Sequence, residues 1–335
     1  MIQQAITKLI ARLDLTRDEM AAVMSEIADG TATPALMGAF LTTLRAKGET
    51  VEEIAGAAQV MRQRAERIKV NREVFVDTCG TGGDGSNSFN ISTTAAFVVA
   101  GAGVTVAKHG NRSVSSRCGS ADVLAAVGVN VEASVDVVER CIDQVGIGFL
   151  FAQKLHPAFK SVAMVRRELG LRTIFNVLGP LANPAGARHQ VMGVFDQALV
   201  PQIGQVLANL DAKHAFVVHG DGYDEIAVTG ATTVCEVNNN QVKNYEISPS
   251  DLGLKTWNRE EIKGGDITLN ARIMQEVLAG SNGAQRDAVL ANAAAAIVAA
   301  GVAATLAEGI KLAATSIDSG AAKNKLKELV QVSTA

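Results

Sequence analysis

The residues with the clearest chemical content stand between Cys79 and Thr93, in CGTGGDGSNSFNIST. Gly80, Gly82, Gly83 and Gly85 bare the backbone, and Asp84, Ser88, Asn90, Ser92 and Thr93 supply short donors and acceptors. Glycine loses the most conformational freedom on folding, so such a cluster marks a forced turn or a close approach by a ligand or another chain segment.

GTGGDG satisfies the dinucleotide-binding pattern G-x-G-x-x-G. That pattern expects an acidic residue about 20 positions on, to hold a ribose hydroxyl. No carboxylate stands between Asp84 and Asp122, whereas Lys108, Arg112 and Arg117 fall inside that interval. Only an NADP-type variant that uses an arginine stays open. A nucleoside-triphosphate loop is excluded, because no Lys-Ser or Lys-Thr follows the glycines. The third reading is a phosphorylated sugar or diphosphate held by bare amides. A helix that starts near Asn90 to Thr93 points unpaired N–H groups and its positive end at the loop. The dipole contributes ~0.3–2 kcal/mol, and each hydrogen bond to a charged group ~1.5–3 kcal/mol, so several together fix a diphosphate. The plainer alternative is a set of glycines that only turn, with Ser92 or Thr93 as a helix cap.

A second group, KHGNRSVSSRCGS at 108–120, follows a short β-prone run. Ligands of open α/β sheets collect beyond the C-terminal ends of the strands. Lys108, Arg112 and Arg117, interleaved with Ser113, Ser115, Ser116 and Ser120, are therefore expected to form a second anion-binding wall. His109 and Asn111 are the residues here suited to something other than phosphate, although a lone histidine is more often structural. In HGDGYDEI, Asp224 and Glu225 are adjacent carboxylates on a glycine-containing turn. Such a pair suits Mg²⁺, which takes one or two carboxylates plus substrate phosphates. In HPAFKSVAMVRREL, Phe159, Val162, Val165 and Leu169 define a helical face that Arg166 borders. A half-buried arginine there seeks a carboxylate, either a ligand's or one of the chain's own. No Ser-His-Asp or Cys-His set is evident, and Cys118 near His109 is a weak thiol candidate.

These residues need a scaffold. The chain has 335 residues, 48% hydrophobic but only 4% aromatic, so its core is built from Ala, Val, Leu and Ile. A net charge of −3 lacks the basic footprint of a nucleic-acid binder. Cys79, Cys118, Cys141 and Cys235 are far apart and show no metal spacing. With no secretion signal in MIQQAITKLIARLDL, a reduced cytoplasm is the expected compartment. NAAAAIVAAGVAATLA is the most apolar run, short of the ~20 residues of a membrane span, and reads as a tightly packed buried helix.

Residues 1–68 read as helices only. Ile2, Ile6, Leu9, Ile10 and Leu13 form a stripe at helical spacing, and Thr16, Thr33-Pro34 and Thr50 are helix starts. From EVFVDT onward, strands (VTVAK, HQVMGVF, AFVVHG, TTVCEV) alternate with helical segments (STTAAFVVAGAG, ADVLAAVGV, VDVVERCIDQVG). The expected fold is α/β: a small helical domain at 1–68, with a return segment at about 165–186, and a large domain at 69–335 around a mostly parallel sheet.

GTGGDG, FNIST, VAKHGNRSVSS, GSADVL, GIGFLFA, HPA, VRRELG, RTIFN, LGPL and the Asp-Glu pair occur together and in this order. In these motifs, over nearly its whole length, the chain resembles the anthranilate phosphoribosyltransferase family. The resemblance implies a nucleoside-phosphorylase/phosphoribosyltransferase-like fold and a homodimer. It implies transfer of the phosphoribosyl group from phosphoribosyl pyrophosphate to the amino group of anthranilate, releasing pyrophosphate, with Mg²⁺. It places phosphoribosyl pyrophosphate on Gly80, Gly83, Asp84, Ser88, Asn90, Ile91, Ser92, Thr93, Lys108, His109, Gly110, Asn111, Arg112, Ser113, Ser115, Ser116 and Ser120. Gly80, His109, Asn111 and Arg166 would meet anthranilate, and Ser92, Asp224 and Glu225 would hold metal. No protein nucleophile is implied. Cys79, Cys118 and Phe159 depart from the family's usual residues. The competing expectation is a pyrimidine-nucleoside phosphorylase-like enzyme of the same architecture.

Overall fold

The computed structural model describes residues 1–113 and 117–335. Helices α1 (Ile2–Ile10), α2 (Arg17–Ala28), α3 (Pro34–Lys47) and α4 (Val51–Arg64) form the N-terminal bundle. Its helix starts are fixed by local chemistry. Thr16 and Thr50 each form a capping box with the glutamate three residues on, and Pro34 takes the first turn of α3. Ile2 and Leu9 are buried as the stripe requires, but Ile10 and Leu13 are 68% and 55% exposed. Ile10 ends α1 and lies roughly 100° around the axis from Leu9, so it faces outward. Glu53 is fully buried, where it pairs with Lys47 at 2.9 Å and accepts from the Leu15 and Thr50 amides.

The rest of the chain winds around seven strands: β1 (Val76–Thr78), β2 (Val106–Gly110), β3 (Ile147–Phe151), β4 (His189–Gly193), β5 (His214–Gly220), β6 (Thr232–Asn238) and β7 (Gln241–Ile247). Their order in the sheet is β3-β2-β1-β4-β5-β6-β7. The first five are parallel, whereas β6 and β7 extend the sheet as an antiparallel edge. The chain winds outward from β1 through β2 to β3, then returns to place β4 on the other side of β1. That reversal is a topological switch point, where loops splay apart and ligands bind in open α/β sheets.

Between β1 and β4 lie α5 (Ile91–Gly101), α6 (Ser120–Ala126), α7 (Val135–Val145), the short α8 (Ala152–Leu155), α9 (Lys160–Leu169) and α10 (Phe175–Leu181). Helix α11 (Leu199–Asn209) joins β4 to β5, and α12 (Ile267–Leu278), α13 (Ala284–Ala299), α14 (Leu306–Asp318) and α15 (Ala321–Thr334) close the fold. Only the first half of the alanine-rich run is the expected buried helix: it ends α13, which packs against α5 and α14, while Gly301, with φ 74°, breaks the run before α14 and leaves Val302 exposed. Among the described residues, no helix is long and apolar enough to cross a membrane.

One hydrophobic cluster packs α5, α13 and their neighbours on one face of the sheet. A second joins the bundle (Met24, Phe40, Leu44) to Val165, Ile174 and Leu178 of the returning segment and to Ile203 and Val217 on the opposite face. Arginines seal this junction. Arg62 donates to the carbonyls of Leu181 at 2.6 Å and Leu210 at 3.3 Å, Arg17 to that of Asn209 at 3.0 Å, and Arg188 to that of Asp211 at 2.9 Å. The last carbonyls of a helix lack intrahelical partners and carry its negative end, so Arg17 and Arg62 cap α11, Arg62 also caps α10, and Arg188 holds the turn just after α11. Arg62 is half-buried, and burial lowers its pKa to about 10. Arg62→Met leaves two enclosed carbonyls without donors. It is expected to lower stability by about 2–3 kcal/mol, read as a shift of the urea midpoint.

Candidate active site

The glycine loop crosses the switch point. Cys79 N–H donates to the Val191 carbonyl at 3.2 Å, and Thr81 N–H to that of Gly193 at 2.9 Å, so the loop continues β1 alongside β4. It then turns through Gly82, Gly83 and Gly85, with φ of 65°, 75° and 76°, a left-handed region that favours glycine. Gly80 and Gly193 answer to a different constraint, the turn after β5. A Cβ on Gly80 would lie 2.4 Å from Asp224 Oδ2, and one on Gly193 would lie 1.5 Å from the Asp224 carbonyl oxygen.

That approach brings the acidic pair to the loop. Gly82 N–H donates to Asp224 Oδ2 at 2.6 Å, and Asp224 N–H to Asp84 Oδ2 at 3.1 Å. Ser92 N–H, in the first turn of α5, donates to Glu225 Oε1 at 3.1 Å. Neither Ser92 nor Thr93 caps α5. Asn90 holds the cap position without a side-chain cap bond, its amide instead donating to Cys118 O and accepting from Asn270. Ile91 and Thr93 are buried, and Ser88 is half-buried beside Ser86. The free face of α5's first turn therefore points at the carboxylates.

Burial raises the pKa of Asp224, and the charges of Asp84 and Glu225 raise it further. Burial lifts Glu225 to about 7, opposed by the charge of Lys108. Lys108 is itself buried, its ammonium donating to the Thr78 carbonyl, so it forms the floor of the site rather than an open wall. Beneath it, Asp77 accepts from His109 N–H at 3.0 Å and from Asn183 at 2.8 Å, and burial lifts its pKa to about 6.

The expected second wall is only partly present. Arg112 is turned outward to Asp122 at 3.2 Å and Glu132 at 3.1 Å, where it holds its own loop. Ser113 N–H donates to Asp122, and Arg117 is exposed. Ser115 and Ser116 lie outside the described residues. Asn111 and Ser120 are joined, Asn111 N–H donating to Ser120 Oγ at 3.2 Å and that hydroxyl to Asn111 O at 3.1 Å. Gly110 is required there, since a Cβ would meet Ser120 Oγ at 2.3 Å. His109 is 2% exposed. Its Nδ1 faces the Gly179 carbonyl at 3.0 Å, which can only accept, so Nδ1 carries the proton. Burial lowers its pKa to about 3 and that of His156, 5.2 Å away ring to ring, to about 4, so both are neutral.

Arg166 projects from α9 beside the buried Val162 and Val165. It is half-buried, burial lowers its pKa, and its guanidinium lies 5.6 Å from the centre of the Phe175 ring. Among the described residues, no carboxylate lies within 4 Å of it. An unanswered guanidinium beside an aromatic face fits a planar carboxylate.

The donor chemistry discriminates between metals. Asp77, Cys79 and His109 have ligand atoms within 4.8 Å of one another, but a thiol and an imidazole do not suit Mg²⁺. Asp224 and Glu225 are hard oxygen donors whose protons are held on by burial and by the nearby carboxylates, a crowding that a divalent cation would relieve.

Some site residues escaped the sequence reading. Asp77 had a signal, a carboxylate inside the apolar strand VFVDT. Arg172 and Asn183 stand in the motifs RTIFN and NP without a role the motif itself assigns, and Phe195 had no signal, since their importance rests on contacts with distant segments.

A helical bundle docked on a mostly parallel sheet, with a glycine loop and acidic turn at its switch point, is the two-part architecture of the glycosyl transferase family. The helical bundle domain of the glycosyl transferase family matches residues 3–65, and the a/b domain of that family matches 72–323. The anthranilate phosphoribosyltransferase of Anaeromyxobacter dehalogenans is 68% identical over 334 residues, 100% of this chain and 99% of the relative. The crystal structure of the Thermus thermophilus enzyme of that name is 42% identical with a TM-score of 0.94, covering 99% of both chains. The Saccharomyces cerevisiae enzyme, solved in complex with PRPP and Mg, is 28% identical with a TM-score of 0.90, covering 99% of this chain and 98% of that one. The chain belongs to the anthranilate phosphoribosyltransferase family.

Two outcomes follow from the crowding around Asp224. Gly80→Ala displaces that carboxylate and is expected to lower turnover by about a hundredfold, the scale on which small misplacements act. The folded-state pKa values of Asp224 and Glu225 lie above the ordinary 3.8 and 4.5. The stabilising contribution of each is thus complete below those values and lost as pH rises through its raised folded-state value, which for Glu225 is about 7. A cation that binds them must displace their protons, so Mg²⁺ affinity should rise between about pH 6 and 8. Calorimetry in buffers of differing ionisation enthalpy should detect proton release near pH 6.5 that diminishes in Glu225→Gln.

Proposed function

We propose that this chain transfers the phosphoribosyl group of phosphoribosyl pyrophosphate to the amino group of anthranilate, giving N-(5-phosphoribosyl)anthranilate and pyrophosphate. This is the second step from chorismate toward tryptophan. The observation that carries the reading is a pair of unlike anion-receiving centres in one fold. One is the glycine loop with the first turn of α5 and three half-buried carboxylates. The other is Arg166, whose guanidinium lies near Phe175 and has no carboxylate of its own.

The amides of Gly80 and Gly83 and the start of α5 receive the diphosphate, with Ser92 and Thr93 at the helix turn. Asp84, Asn90, Asn111 and Ser120 orient the ribose and its phosphate. Ser92, Asp224 and Glu225 would hold Mg²⁺, which when bound neutralises charge building on the departing pyrophosphate. Lys108 supplies fixed positive charge below the same site. Arg166 holds the anthranilate carboxylate, so that the amine faces the anomeric carbon. As the C–O bond to pyrophosphate breaks and the C–N bond forms, charge develops on the sugar and the leaving group; a neutral aromatic amine attacks without prior deprotonation, and the proton it then sheds passes to the released pyrophosphate or to water. His109, neutral and fixed by Gly179, lines the acceptor's approach without acting as a strong base. The family assignment supports this acceptor over phosphate and a nucleoside. A cytoplasmic homodimer built through the helical bundle is part of the same proposal.

The test is pyrophosphate release from phosphoribosyl pyrophosphate. Release that requires both anthranilate and Mg²⁺ is expected, whereas phosphate-dependent nucleoside cleavage without it would move the chain to the phosphorylase class. Arg166→Ala should raise the KM for anthranilate by about 10- to 100-fold, since a charged hydrogen bond contributes ~1.5–3 kcal/mol. The KM for phosphoribosyl pyrophosphate should change far less, and equal losses for both would remove the assigned role.

A further inference from the structure

The two anion-receiving centres belong to different parts of the chain. The glycine loop extends from β1, whereas Arg166 rides on α9, whose apolar side packs against the bundle. Transfer between a bound diphosphate sugar and a bound amine needs the two in register within an ångström or so. Something must set that spacing.

The segment after α9 is tied to the sheet from below. His109 Nδ1–H reaches the Gly179 carbonyl, and the Asn183 amide reaches Asp77. Above, the tie is Arg172. Helix α9 ends at Gly170, a left-handed cap with φ 61°, and Arg172 then reaches the glycine loop. Its Nη2 donates to the Gly83 carbonyl, and its guanidinium lies over the Phe195 ring, 4.1 Å from the centroid. Phe195 is itself joined to the loop, its N–H donating to Thr81 Oγ1 at 3.0 Å. Arg172 thus grips the loop twice, at Gly83 directly and at Thr81 through Phe195. No carboxylate among the described residues lies within 4 Å of it.

We infer that Arg172 is a positioning residue that fixes the glycine loop against the arm bearing Arg166 and so sets the distance between donor and acceptor. The inference rests on the proposed transfer reaction. Arginine is needed because its planar fork can donate and stack at once, which an ammonium cannot. The lower ties at Gly179 and Asp77 keep the arm folded without it.

The test compares Arg172→Met, Arg172→Lys and Phe195→Leu with the wild type. Arg172→Met should lower kcat by about 10- to 100-fold while the KM values and the Kd for phosphoribosyl pyrophosphate alone stay within about threefold. Arg172→Lys, which keeps a donor, and Phe195→Leu, which keeps Arg172, should each fall between. Three results would overturn the role: kcat within about twofold of wild type, donor affinity falling as far as kcat, or a loss explained by a lowered Tm. Amide hydrogen exchange supplies a readout that needs no turnover. Arg172→Met should speed exchange at residues 81–85, and unchanged exchange would also sink the inference. Wild type lacking anthranilate-dependent release would instead refute the reaction, leaving the loop tie to be judged by exchange alone.

Discussion

The site depends on how closely three backbone segments approach one another beyond the ends of β1, β4 and β5. Asp224 occupies the centre of that approach, and Gly80 and Gly193 leave it room where any Cβ would collide. Because the turn after β5 packs so tightly, Asp224 and Glu225 meet the glycine loop and the first turn of α5, although far from both in sequence. The loop's other glycines serve the turn itself. Two demands on glycine, room and left-handed backbone, are thus met within one short motif.

Electrostatics accounts for what this geometry accomplishes. Asp224 and Glu225 share a small volume with Asp84, a helix start and one buried lysine, and burial raises the pKa of both. An arrangement of this kind stores binding capacity for a metal-bound polyanion. Placing the donors beforehand avoids reorganisation when charge develops on a leaving group. Arg166 shows the opposite device, a half-buried guanidinium beside Phe175 with no carboxylate of its own among the described residues.

The bundle and the sheet are less separate than their sequence patterns imply. Their apolar side chains merge into one cluster with the returning segment and α11, and arginines from both parts meet at the end of α11. Ties at two depths, to Asp77 and Gly179 below and to Gly83 above, hold the returning segment against the sheet.

Much of this was legible in the chain. Thr16, Thr33 and Thr50 announced their helices because capping is local chemistry, and GTGGDG announced a bare loop because glycine's freedom is intrinsic to the residue. The alternation of strands and helices gave a mostly parallel sheet. What escaped was non-local. Strand β7 has an exposed, weakly apolar pattern and is defined by pairing with β6, and the order that puts β4 beside β1 is written in no single segment. Lys108 and Arg112 looked alike as basic residues after a strand, yet one is a buried floor and the other an outward brace. Residue type and local spacing determined which chemistries the chain could carry. The tertiary structure alone decided which residues meet, because close approach between distant segments depends on packing the whole sheet.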